Sequence, residues 1–384
     1  MSGNLRARLS RIRENPENRN GKKRDPKSIH QAERICFPAG WSILREGLRF
    51  KETLSFSSDL DPAARIRLNL FSGRLDLVEV SLGNIVFFDL ETTGLSGGAG
   101  TVAFLAAFGN FRHDGTLSVR QYFIDDYPSE LDFLQSLAVE FTKAAAVVTY
   151  NGSSFDMPLY SVRRTMNELG PPAPVLHIDA LHAARRLWRR TIGNCALGNL
   201  EAEILGIRRG DDLPGSEVPE VWFEYLKFGR TKRLERVFLH NELDVRSLAA
   251  LFLLIHNTAN GSMSALKCDP VGLAELQSRI DETLAEQTLV TALCAGITGA
   301  ARPLMKLYGK QLRLKERTEL VPMLPDDPSG LFSKSVYAER ICGDIDESIR
   351  LARQAGVNAK GALRDRALRR VQRLMQKLSR LGNR

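Results

Sequence analysis

Residues 84–100 read NIVFFDLETTGLSGGAG, and the rest of the chain is arranged around this stretch. Residues 85–90 form an apolar run broken by a single acid, the pattern of a strand buried on both faces. Successive side chains of a strand point to opposite faces, so Asp89 and Glu91 share one face. Two carboxylates this close repel each other unless a cation lies between them. Oxygen ligands of this kind suit hard divalent ions such as Mg²⁺ and Mn²⁺. Thr92, Thr93 and Gly94 end the strand, and Gly97, Gly98 and Gly100 permit a tight return. Taken alone, an Asp-x-Glu at a strand end reads as two solvated acids before a glycine turn. Acids farther along the chain are what favour a metal site.

Working outward, the 384 residues are 43% apolar, enough for sizeable cores and for two or three domains. This excludes a disordered protein. No apolar run reaches membrane-spanning length, and the first residues are polar and basic rather than a signal-peptide core, so no membrane partner is expected. The five cysteines are scattered, with no CxxC and no Cys/His cluster. That argues against a disulfide framework or a zinc site and suits a reducing cytoplasm. The net charge of +9 sits at the ends: residues 1–30 carry +6 and residues 351–384 carry +9, leaving −6 for the middle. Basic ends suit an anionic polymer such as RNA or DNA, or else serve solubility, while an acidic middle suits a metal site.

Residues 1–30, rich in Arg, Asn, Lys and Pro, are expected to be a disordered basic tail. Residues 31–80 hold two short strands around a turn at Ser72-Gly73, either a lead-in β module or an extension of the main sheet. Strands at 85–90, 102–108 and 118–124 follow with short links, which argues antiparallel pairing. A helix then begins at Ser129, with Asp132 completing a capping box and Leu131, Leu134, Leu137 and Phe141 forming its apolar face. Strands at 145–149 and 175–178 alternate with helices at 155–169 and 180–190, so this half should pair in parallel. Another helix ends at Gly206. A long one spans 234–255, with Leu234, Val237, Asn241, Val245, Leu248 and Phe252 at helical spacing. Beyond a polar stretch at 257–262 the periodicity is helical throughout, which places a domain boundary near residue 260.

Two further segments match the first. Residues 149–156, TYNGSSFD, run from a strand end into a helix and put Asp156 in its first turn, where the helix dipole favours a charged carboxylate. Residues 240–244, HNELD, put His240 and Asp244 on one face of the long helix. Alone, the first is a helix-capping acid and the second a surface ion pair. Together with Asp89-Leu-Glu91-Thr-Thr-Gly they resemble the three motifs of the DEDD superfamily of proofreading-type 3′–5′ exonucleases. Residues 177–182 (HIDALH), 185–190 (RRLWRR), 197–200 (LGNL) and 212–215 (DLPG) bring the pattern closest to the YprB-type ribonuclease-H-like family within it. The likeness covers roughly residues 81–255. One departure stands out: the superfamily has Tyr four residues before its last Asp or His five before it, whereas this chain has His four before it.

The resemblance implies an α/β fold: a ribonuclease-H-like mixed sheet, three antiparallel strands continuing into parallel ones, flanked by helices over residues 81–258. An all-α domain would occupy residues 264–384. It implies that Asp89, Glu91, Asp156 and Asp244 hold two Mg²⁺ or Mn²⁺ ions, and that the chain hydrolyses phosphodiester bonds, as a 3′–5′ exonuclease on single-stranded RNA or DNA. A non-catalytic binding or scaffold protein and a structure-specific endonuclease are the alternatives. His240 would orient or deprotonate the attacking water. Thr92, Thr93 and Gly94 would contact a terminal nucleotide, or simply form a turn. Asn151 would contact substrate or pin its loop. Arg185 and Arg189 flank Trp188 on a basic helix, which is either a nucleic-acid track or an amphipathic helix with Leu187 and Trp188 in the core. Residues 335–356 show a faint likeness to one tetratricopeptide-type helix pair without a clean repeat of about 34 residues. The last helix, with Arg on one side and Leu363, Ala367, Leu374 and Leu378 on the other, would bind phosphates, dock a protein partner or remain solvated.

Overall fold

A computed structural model describes residues 37–73, 78–94, 100–210, 213–262 and 267–382. The basic N-terminal tail, the centre of the glycine-rich turn and Asp212 lie outside these residues. The strands are β1 (Ser42–Arg45), β2 (Leu48–Ser57), β3 (Arg65–Arg67), β4 (Glu79–Ser81), β5 (Ile85–Thr92), β6 (Ala103–Phe111) and β7 (Thr116–Ile124), followed after a helix by β8 (Ala146–Thr149) and β9 (Leu176–Asp179). One seven-stranded sheet has the order β1-β2-β7-β6-β5-β8-β9. Pairing is antiparallel from β1 through β5 and parallel for β5–β8 and β8–β9. This is the mixed ribonuclease-H-like sheet. It carries five antiparallel strands rather than three, because β1 and β2 extend its edge. Their sequences lack an apolar run, and of the two only Leu48 is fully buried. Arg65–Arg67 and Glu79–Ser81 pair as a separate two-stranded sheet of β3 with β4; residues 74–77 lie outside the described residues.

Helices α1 (Glu130–Lys143), α2 (Asp156–Met166), α3 (Ala180–Ile192), α4 (Leu197–Leu200), α5 (Val218–Phe228) and α6 (Leu234–Ala259) cover both faces. Ile85 and Phe87 point toward a cluster with Leu187 of α3 and Val245, Leu248 and Phe252 of α6. Val86, Phe88 and Leu90 point the other way, toward Phe133 and Leu137 of α1 and Trp222 of α5. Burying each such Phe contributes about 1.5–3 kcal/mol. By the same alternation Asp89 and Glu91 face α6. Gly109 of β6 lets α6 close in, since a Cβ there would stand 2.6 Å from Val245 Cγ1.

The first turn of α1 differs from the capping box read from the sequence. Ser129 makes no cap hydrogen bond; its hydroxyl donates to the Glu46 carbonyl at 3.3 Å. Leu131 is exposed and Phe133 takes its place in the core. Glu130, at the first helical position, instead accepts from Arg163 of α2 at 2.5 Å in a buried pair.

The sheet domain's core runs past residue 260, where the composition changes. Leu273 and Leu276 of α7 (Pro270–Gln277) belong to the same cluster as Phe252. Gly272 makes this possible: a Cβ there would fall 1.8 Å from the Arg186 carbonyl oxygen. Beyond it lie α8 (Glu282–Cys294), α9 (Ala301–Lys310), α10 (Leu314–Glu319), α11 (Pro328–Tyr337), α12 (Ile345–Asn358) and α13 (Gly361–Gly382). They form two small cores, one around Leu289 and Leu304 and one around Leu331, Leu351 and Ala367. No helix among the described residues is long and apolar enough to cross a membrane.

Candidate metal centre

Three separate segments meet at the end of β5. Asp89 and Glu91 come from its last turns of pleat, where the pairing with β6 shifts register between Glu91 and Thr92. Asp156 is the first residue of α2. His240 and Asp244 project from α6 one turn apart. All five line one cleft of about 230 Å³, together with Thr92, Gly94 and Phe155.

The turn that delivers Asp156 is tightly specified. Asn151 adopts a left-handed φ of 64°, which Asn tolerates better than most residues. Asp179, at the start of α3, accepts from the N–H groups of Asn151 (2.8 Å), Ser153 (3.2 Å) and Leu181 (3.1 Å) and from the Ser153 hydroxyl (2.5 Å). Asp179 therefore serves the turn, as a cap and brace. At Gly152 a Cβ would come within 2.5 Å of Thr149 and 2.6 Å of the Asp156 carboxylate, so the backbone passes the acid where no side chain fits. His177 meets the Thr149 hydroxyl at 2.8 Å beneath the same turn.

On the other wall, Asn241 is fully buried and donates to Asp89 Oδ2 at 2.8 Å. Gln121 of β7 donates to Asn241 Oδ1 at 3.1 Å and to the Phe238 carbonyl at 2.8 Å, which fixes the amide. His240 Nε2 lies 3.9 Å from Glu91 and 3.7 Å from Asp244 Oδ2. Arg209 donates through Nη2 to Asp244 Oδ1 and, at 2.5 Å, to the buried Glu201. Its Nη1 lies 3.3 Å from His240 Nδ1. Asn241, Gln121, Arg209 and Glu201 carry no signal in the sequence pattern. Asn241 sits at a core position of the α6 stripe, and Arg209 in a loop without period.

The electrostatics are those of crowded acids. Burial pushes the Asp89 carboxyl well above its usual range, Asp244, Glu91 and Asp156 push the same way, and the Asn241 amide opposes them. Burial raises Asp156 to about 7, with Asp179 and Asp244 adding and the N–H groups of Asp156 and Leu90 opposing. At this helix start burial outweighs the backbone N–H groups that favour the charged carboxylate. Asp244 is raised by burial against the pull of His240 and Arg209.

Without a counter-ion the pocket thus favours protonated acids, and a cation would remove that penalty. Carboxylate oxygens of Glu91 and Asp244 and a ring nitrogen of His240 all lie within 4.8 Å of one another. The donors are mainly carboxylate oxygens, which fits a hard divalent ion.

Of the remaining candidates, Thr92 and Gly94 line the cleft with the acids, whereas Arg185 and Arg189 do not. The Thr92 hydroxyl donates to the Gly94 carbonyl at 2.9 Å, and the Thr93 hydroxyl accepts from the Val102 N–H at 3.0 Å, so both close the turn. Arg185 and Arg189 line a second cleft of about 390 Å³ between α3 and α7. There Arg186 pairs with Glu275 and Arg190 with Asp269. Leu187 and Trp188 are buried beneath them.

Residues 86–255, the segment holding the sheet centre and all five cleft residues, match the RNase_H_2 family model, described as RNase_H superfamily. Over that segment, a little under half of its length, the chain is similar to the RNase H superfamily. The chain is 34% identical over 245 residues to the uncharacterized protein YprB of Bacillus subtilis (strain 168), a match covering 62% of this chain and 59% of that protein. It thus spans under two thirds of that relative's length. Among solved structures it matches the family B DNA polymerase of the hyperthermophilic archaeon Pyrobaculum calidifontis, with a TM-score of 0.36 and 15% identity. That match covers 53% of this chain and 28% of the polymerase.

Proposed function

We propose that this chain is a divalent-metal-dependent nuclease, and specifically a 3′–5′ exonuclease on single-stranded RNA or DNA. One observation carries the reading: four carboxylates from three distant segments, Asp89 with Glu91, Asp156 and Asp244, line a single cleft beside an imidazole. Two Mg²⁺ or Mn²⁺ ions held by these acids would acidify the attacking water and neutralise charge on the phosphate and the leaving 3′ oxygen.

The chain's own groups supply the rest. The oxygen of water bonds to phosphorus as the water gives up a proton to solvent, the bond from phosphorus to the 3′ oxygen breaks, that oxygen takes a proton from solvent, and a nucleoside 5′-monophosphate leaves. His240, facing Glu91 and Asp244, stands beside the position of that water and of the phosphate. Phe155, 48% exposed at the cleft, offers its ring to the terminal base. Thr92 and Gly94 line the cleft and offer contacts to the same nucleotide, while Thr93 and Asn151 hold the turns that carry the site. Arg185 and Arg189, in the second cleft, hold backbone phosphates farther along the strand, and the exposed arginines of α13 add to that attraction or dock a protein partner.

The test follows single-stranded RNA and DNA oligonucleotides labelled at either end, with Mn²⁺. Stepwise shortening from the 3′ end supports the reading. Internal fragments at early times would point to an endonuclease. A second reading, nucleic-acid binding without turnover, is favoured by Arg209, which already engages Asp244. Salt-dependent binding with no product under any metal would support it.

A further inference from the structure

Resting on the nuclease reading and going beyond it, we propose that Arg209 is a positioning residue that fixes the proton of His240 on Nε2, so that His240 acts as a hydrogen-bond donor to a phosphate oxygen and not as the base. A guanidinium has only donors and does not lose its proton in a protein. Its Nη1 reaches His240 Nδ1 at 3.3 Å, so Nδ1 must accept. A neutral imidazole whose Nδ1 accepts carries its proton on Nε2. Nε2 is the atom turned toward Glu91 and Asp244 at 3.9 and 3.7 Å. It has no lone pair with which to take a proton from water.

Arg209 is held firmly enough to impose this. Its side chain is 11% exposed and its Nη2 joins Glu201 to Asp244. Glu201 is 1% exposed, so withdrawing Arg209 would strand a buried charge. The backbone places it as well: Gly206 turns the chain at a φ of 69°, and the Ile207 N–H returns to the Glu201 carbonyl at 2.9 Å. The same guanidinium occupies Asp244 Oδ1, leaving Oδ2 to face the cleft beside Nε2. This accounts for a histidine four residues before the last acid: from that position it is braced from behind by Arg209 and presents Nε2 forward.

The experiment is long-range ¹H–¹⁵N correlation of the imidazole nitrogens in full-length protein labelled with ¹⁵N-histidine, metal-free, at a pH where the ring is neutral. The chain has six histidines, and His240→Gln assigns the signal. The wild-type protein is expected to show His240 protonated on Nε2. Arg209→Met, made with Glu201→Gln so that no buried charge is stranded, is expected to shift His240 Nδ1 and to populate the Nδ1-protonated form. A proton on Nδ1 in the wild type, or an unchanged spectrum in the double variant, would overturn the proposal. Failure of the nuclease reading shows elsewhere: no cleavage by the wild type, with the tautomer as described.

Discussion

Asn241 of α6 donates to Asp89 of β5 at 2.8 Å, and this one hydrogen bond ties the helix carrying Asp244 to the strand carrying the first acid. The amide is fully buried and its oxygen is taken by Gln121. Replacing Asn241 by Ala leaves Gln121 short of an acceptor and Asp89 without its donor, at a cost of about 1–3 kcal/mol. Denaturant unfolding measures this. Asn241→Asp adds a further carboxylate beside Asp89. Its melting temperature should fall most in EDTA, and Mn²⁺ should narrow the gap to wild type.

Gly152 is the tightest point of the turn that presents Asp156. A methyl group there meets Thr149 at 2.5 Å and the Asp156 carboxylate at 2.6 Å, so the turn must shift. Gly152→Ala should lose about 1–3 kcal/mol of stability and should weaken Mn²⁺ binding as well. Gly210→Ala, where a Cβ would meet nothing within 4 Å, is the control. It should stay within about 0.5 kcal/mol of wild type.

The raised acids make the metal-free protein sensitive to pH in a particular direction. Asp156 in the folded state titrates near 7, above its usual range, so the folded protein binds more protons than the unfolded chain in between. Stability from this group therefore falls as pH rises from about 4 to 7. Asp89 acts in the same direction. Asp156→Asn removes the effect. In EDTA the variant should gain on the wild type as pH rises through that window, as read by thermal unfolding at each pH.

Metal should reverse the penalty. An ion that binds only the folded protein adds about 2.7 kcal/mol at a hundred times its Kd, a rise of roughly 5–10 °C for a domain of this size. Mn²⁺ or Mg²⁺ should raise the melting temperature of the wild type, and Asp89→Ala should abolish the rise. An equal shift in both proteins would place the ion elsewhere.

The sheet and its mixed pairing were legible because β5, β6 and β8 are buried runs with short or helical links. The strands at the edge were not: β2 carries one fully buried residue, and without an apolar run its pairing with β7 leaves no mark. Asp89, Glu91, Asp156, His240 and Asp244 could be grouped from motif spacing, and the fold brings their side chains to one cleft. Their braces could not be grouped. Asn241 occupies a position that periodicity assigns to the core, and Gln121 a buried position of β7. Arg209 and Glu201 sit 35 and 43 residues before Asp244 in irregular or short elements, where only tertiary structure brings them near. Arg185 and Arg189 share the basic helix with buried Trp188, and sequence alone does not say which cleft that helix borders.

The most direct measurement is hydrolysis of a labelled single-stranded oligonucleotide in Mn²⁺ by the wild-type protein, Asp89→Ala and Asp244→Ala, each shown to be folded. The account predicts shortening by the wild type that stops in EDTA and falls at least a hundredfold, about 2.7 kcal/mol at the barrier, in both variants. Equal hydrolysis by all three proteins would contradict it.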